Sequence, residues 1–206
     1  MAVSGVAIVN LAVKVITIVL ALVPLFDPGS SHFEGKAMGV RAVVWPLATV
    51  AIPVIWQLGG RPRPYPYLAD IALVLPFLFD AAANVFGWFA TSGFDALPHL
   101  AGWFFLAVTF GLALAPMIER RWLAFALVVG IGSTLDILWE IAEYLLSRSG
   151  QSGLQLTYAN TIQDLALSLV GATIGAVLVV TVLWPKPGTP PTLFGWHLAR
   201  TDDATR

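Results

Sequence analysis

Residues 122–146 read WLAFALVVGIGSTLDILWEIAEYLL. The run is long and apolar enough to cross a bilayer, which takes roughly 20 apolar residues. Yet it contains Asp136, Glu140 and Glu143. A carboxylate is costly in hydrocarbon, so three on one membrane helix need a reason. At i, i+4 and i+7 they share one helical face.

The rest of the chain has the same character. Of its 206 residues 58% are hydrophobic and only 11% charged, against about 25% charged in soluble domains. Mean hydropathy is +0.82. Six spans are predicted, at residues 4–26, 38–58, 68–89, 95–117, 122–146 and 160–184. The fold class is therefore an all-α membrane protein, a bundle of about six transmembrane helices. Residues 1–184 form a single transmembrane domain, and residues 185–206 a Pro-rich cytoplasmic tail. The first span carries Lys14 at its middle. It lacks a basic start and a small-residue cleavage site, so it reads as a retained helix and not a signal peptide. Pro46, Pro53 and Pro76 fall inside spans, where prolines are tolerated and mark kinks.

Lys and Arg in short loops orient such a chain. Arg61, Arg63, Arg120, Arg121 and Lys186 lie on one side. Lys36, Arg41 and Arg148 lie on the other. The bias places both termini in the cytoplasm. With that orientation the polar groups of four helices share the outer half of the membrane: Asp80 and Asn84, Asp95 and His99, Asp136 with Glu140 and Glu143, and Asn160 with Asp164. Asp80 is expected roughly 15 Å from the outer end of its span, near the midplane.

Each group has a plain structural alternative. Asp95 reads as a helix N-cap, with Pro98 in the first turn. Asn160 reads as the N-cap of the last helix, with Asp164 one turn inside. Asp80 has no capping role and pairs, on this reading, with Lys14. Trp88, Phe89, Trp103 and Trp184 read as interfacial anchors. Gly171, Thr173, Gly175 and Ala176 suit close helix packing. His32 carries no signal. Three acids on one face, opposite others at equal depth, favour a functional cavity over helix locking.

Several classes are excluded. The net charge of −1 and the absence of a Lys/Arg cluster argue against nucleic acid. With no cysteine there are no disulfides, thiolate nucleophiles or Cys-bound metals. A metal would be held by His99, Glu140, Glu143 and Asp164, and that set suits zinc, manganese or iron.

The segments LPFLFDAAANVFGWF (75–89), FDALPHLAGWFFLAV (94–108), DILWEIAEYL (136–145) and NTIQDLALSLVGATIGAVL (160–178), in that order, resemble the YjdF-like family of bacterial integral membrane proteins. More distantly they are similar to VanZ-like proteins. The resemblance covers roughly residues 68–180. It implies a multi-pass protein of the bacterial cytoplasmic (inner) membrane, and it singles out Asp80, Asn84, Asp95, His99, Glu140, Glu143, Asn160 and Asp164. Asp136 belongs less clearly to the pattern. Ala96 stands where a second acid is usual. The resemblance implies no particular reaction.

The leading reading is a metal-dependent enzyme or binder with His99, Glu140 and Asp164 as catalytic residues. It would act on a lipid or lipid-linked substrate, with a metal activating water for hydrolysis. The alternatives are a proton- or cation-coupled transporter or channel, and an accessory subunit whose polar groups lock helices together. Membrane lipids are the expected surroundings, and self-association or a partner subunit is open to the apolar surface.

Overall fold

The computed structural model describes residues 5–61, 64–91, 93–154 and 156–184; the predicted tail at 185–206 lies outside them. Six long helices carry the chain: α1 Gly5–Leu22, α2 Met38–Leu58, α3 Tyr67–Val85, α4 Ala96–Leu114, α5 Arg121–Arg148 and α6 Tyr158–Thr181. Short 3-10 turns extend α1 to Leu25 and α4 to Met117. No strand occurs among the described residues. All six helices are long and apolar enough to cross a membrane. The chain is a multi-pass, all-α membrane protein.

The tightest packing joins α4 to α6, and glycines are its cause. A Cβ on Gly171 would run into the backbone carbonyl of Leu100, and one on Gly175 into that of Phe104. Only a missing side chain allows two helix backbones so close. Ala107, Ala172 and Ala176 fill the seam with Trp103 and Val128. α5 joins α6 at Gly132, whose Cβ would lie 3.0 Å from that of Ala172. α3 packs on α4, and α1 covers α3 and α2. Thr173 does not cross the seam; its hydroxyl bonds the Leu169 carbonyl of its own helix, 2.7 Å away.

Lys14 does not pair with Asp80. Its ammonium lies 2.6 Å from Asp70 Oδ2. Asn10 and Tyr65 donate to the same oxygen. Asp70 sits in the first turn of α3, at the opposite end of that helix from Asp80. The long lysine stem bends toward that end, as membrane lysines do. Asp70 is fully buried, so the pair ties α1 to α3. Tyr65 stays protonated and keeps donating: burial, then its bond to Asp70, pushes its hydroxyl up.

α3 ends at Val85, short of the predicted residue 89. Gly87 reverses the chain at φ 69, a left-handed conformation open to glycine, and Trp88–Ala90 form a 3-10 turn. Asp80 therefore lies roughly 8 Å from the helix end, by 1.5 Å per residue, and not at the midplane.

The loops at 27–37 and 149–157 meet beyond this end of the bundle. Gly153 N–H donates to Gly35 O at 3.0 Å. A Cβ on either glycine would strike the other strand of the crossing. Gln151 adds a bond from its side-chain oxygen to Ala37 N–H at 2.9 Å. The two crossed loops roof the space below.

Candidate functional site

Under that roof is a cavity of about 750 Å³ among α2, α3, α4, α5 and α6. Its upper wall is polar, with Lys36, Arg41, Asp80, Asp95, Glu143 and Asn160. Its floor is apolar, with Pro76, Phe77, Leu106 and Leu135.

His99 and Asp164 line the cavity, and Glu140 converges on them from outside its lining. One ligand atom from each lies within 4.8 Å of the other two. His99 comes from the first turn of α4, Glu140 from α5 and Asp164 from α6. The α4–α6 glycine seam brings the first and last together, with His99 Nε2 3.7 Å from Asp164 Oδ2. Glu140 is 7% and Asp164 2% exposed. Both oxygens of Glu140 and Oδ1 of Asp164 are buried with no hydrogen-bond partner among the described residues. Buried acceptors are normally satisfied, and carboxylates most of all. Three orphaned oxygens beside an imidazole fit a divalent cation. One imidazole and two carboxylates suit zinc, manganese or iron by donor type. The spacing exceeds the roughly 3.4 Å between ligands held tetrahedrally at 2.0–2.2 Å, as expected where carboxylates face each other uncompensated.

His99 is oriented from behind. Its Nδ1 lies 3.2 Å from Ser168 Oγ, with Asp136 near that serine. Ser168 and Asp136 are 1% and 2% exposed. With Nδ1–H donating to Ser168, Nε2 is left as the free acceptor toward Glu140 and Asp164. Asp136 is buried nearby and lies outside the group. Ser168→Ala is expected to weaken metal affinity by about 10–100-fold, the usual range for such supports. Competition against a fluorescent chelator measures it.

The remaining predicted residues take other places. Glu143 lines the cavity but lies outside the trio. It shares the cavity lining with Arg41, Asp80, Asp95 and Trp139. Asp80 accepts from Arg41 Nη1, from Trp45 Nε1 at 2.7 Å and from Asn84 Nδ2 at 3.3 Å. Asp95 stands at the N-cap of α4 but makes no capping bond. Its carboxylate accepts from Asn160 Nδ2 at 3.1 Å instead. Asn160 is not a cap either: Thr157 holds that position and accepts the Asn160 N–H. The pair ties the start of α6 to the start of α4.

Two supposed anchors are part of the cavity. Trp103 is 8% exposed and lines it, because the close α4–α6 approach turns its face inward. Phe89 lines it under Lys36, whose Nζ stands 5.2 Å from the ring centroid. Burial, then the Arg41 charge, holds the Lys36 ammonium below its usual range. His32 also lines the cavity, against Gly87, where a Cβ would come within 2.8 Å of the ring. Sequence reasoning missed Ser168, Arg41 as a partner of Asp80, and Asp70. Ser168 carries a usable signal, since it follows Asp164 at i+4 and so shares its face.

No protein-family model matches the chain, and neither does any curated protein or solved structure.

Proposed function

We propose that His99, Glu140 and Asp164 hold a divalent metal in the outer half of a bacterial cytoplasmic membrane. There the protein hydrolyses a lipid or lipid-linked substrate. One observation carries the reading: three orphaned carboxylate oxygens beside a histidine, buried at one point. A bound metal supplies Lewis acidity and an activated water. The chain's own residues do the rest. Ser168 orients His99 through Nδ1. The crossed loops cover the cavity from above. Glu143, on the cavity wall outside the trio, is placed to exchange a proton with a bound molecule. α2 and α5 do not pack along their length; Trp45 and Trp139, with ring centroids 6.0 Å apart, bridge them. A lipid enters through that side.

The likeness of residues 68–180 to the YjdF-like proteins belongs to the same proposal, as do the orientation and the membrane. Arg41 supports the orientation, since it is paired within the bundle and is no loop charge. The test is turnover of a bacterial lipid extract by the purified chain with zinc, manganese or iron added. Release of a water-soluble product that a chelator stops is the expected result. A lipid pool unchanged by metal-loaded protein would contradict hydrolysis.

Proton-coupled transport is the second reading. The row of polar groups Asp136, Ser168, His99 and Asp164, with His99 3.2 Å from Ser168 and 3.7 Å from Asp164, favours it. It predicts proton flux into liposomes that Asp164→Asn abolishes.

A further inference from the structure

We infer that the cavity binds an amphiphile carrying a primary ammonium group, its head between Asn84 and Glu143 and its apolar body on the floor toward the gap between α2 and α5. The inference deepens the reading above by naming the class of molecule brought to the His99 group.

The charge balance comes first. Asp80, Asp95, Glu143 and Asp164 line the cavity, against Lys36 and Arg41. Arg41 and Asp80 commit each other, with Arg41 Nε also on the Lys36 carbonyl at 3.0 Å, and Asp164 belongs to the His99 group, which leaves Asp95 and Glu143 against Lys36. An anion entering here meets surplus carboxylate. A cation is welcomed.

The second observation is independent of charge. Asn84 is fully buried and lines the cavity. Its Nδ2 donates to the Asp80 carbonyl at 2.9 Å and to Oδ2 at 3.3 Å. Those two acceptors fix which way the amide points. Oδ1 is therefore presented as an acceptor, and it has no partner among the described residues. It calls for a donor with N–H groups. Asn84 and Glu143 both line the cavity, so an ammonium between them has an amide oxygen on one side and a carboxylate on the other. A quaternary ammonium has no hydrogen to give and does not satisfy Asn84.

The walls suit such a head. Trp45, Trp103, Trp139 and Phe77 line the cavity, and aromatic faces attract desolvated cations. Below them the apolar floor accepts a chain. Leu135 and Leu138 line the cavity and are also 38% and 54% exposed, so the apolar wall continues to the lipid-facing surface. An amphiphile fits this layout better than a small free amine.

The test uses the full chain in a neutral maltoside, followed by tryptophan fluorescence. Decylammonium is expected to bind saturably, at least tenfold tighter than decyl phosphate, methylammonium or decyltrimethylammonium. Glu143→Gln should weaken it at least tenfold while metal content stays at the wild-type level. If Glu143→Gln does not fold, Asn84→Ala replaces it with the same expectation. Equal binding of decyl phosphate, or wild-type affinity in the folded variant, overturns the inference. Equal binding of decyltrimethylammonium removes the donor role at Asn84 and overturns it too, and equal binding of methylammonium overturns the amphiphile. Competition by a short-chain phosphatidylethanolamine identifies a lipid headgroup as the source; its failure beside tight decylammonium binding identifies a free lipophilic amine, and both support the shared chemistry. Metal is measured on the same preparation. Metal present without ammonium binding sinks this inference alone, and binding in protein that takes no metal sinks the metal reading alone.

Discussion

Glu140→Gln is expected to lower metal affinity by more than about 100-fold, beyond the 10–100-fold typical of supporting residues, and to end any metal-dependent turnover. Glu140 supplies two of the three orphaned oxygens in the group. An amide keeps the shape but gives up the charge that a divalent ion needs. The fold should survive, because the substitution removes a buried carboxylate that has no partner, and such groups are costly. This separates the metal reading from helix locking. If the residue were a lock, the variant would lose stability; if it is a ligand, the variant melts at or above the wild-type temperature without metal. Thermal unfolding beside competitive metal titration reads both.

Gly171→Leu is expected to have the largest effect on the fold. Its Cβ would press on the Leu100 carbonyl and lie 3.1 Å from Phe104 N. These are backbone atoms of α4, and they cannot swing aside as a side chain does. Overpacking of this kind costs typically 1–3 kcal/mol and sometimes more. At 2–4 °C per kcal/mol for a chain of this size, the upper end lowers the melting temperature by roughly 6–12 °C. Separation of α4 from α6 also pulls His99 from Asp164, so metal affinity falls with stability. Gly130→Ala is the control. Nothing lies within 4 Å of a Cβ at Gly130, and alanine is the better helix former by up to about 1 kcal/mol. Its melting temperature should be unchanged or higher.

Much of the architecture is legible along the chain. Span length and apolarity are local properties, and all six helices stand within a few residues of their predicted ranges. The carboxylate spacing in α5 is also local, and it puts Asp136, Glu140 and Glu143 toward the interior. What each group touches depends on a second helix. Lys14 reads as a partner for Asp80, and only the packing of α1 on α3 gives it Asp70 instead. Arg41 is counted with the loop charges although the span 38–58 contains it, and only the packing of α2 on α3 puts it onto Asp80. Asn160 has the composition of a cap, but Thr157, three residues earlier, takes the position and frees its amide for Asp95. Trp103 has the composition of an anchor, and the glycine seam buries it. In each case the residue type was informative and the partner was not, because spacing along one helix does not say which neighbour it faces.

The lateral gap has a similar origin. α5 carries Leu135, Leu138 and Ala142 on the side that lines the cavity. By themselves they look like ordinary lipid-facing or packing residues. Their meaning depends on α2 standing away from α5, which follows from α1 and α3 holding α2 from the other side.

The central claim is that a divalent ion belongs among His99, Glu140 and Asp164. Elemental analysis of the purified full-length chain, wild type beside Glu140→Gln and His99→Ala, tests it most directly. The account predicts about one zinc, manganese or iron per wild-type chain and almost none in either folded variant. Folded wild-type protein that holds no metal after incubation with all three ions would contradict it.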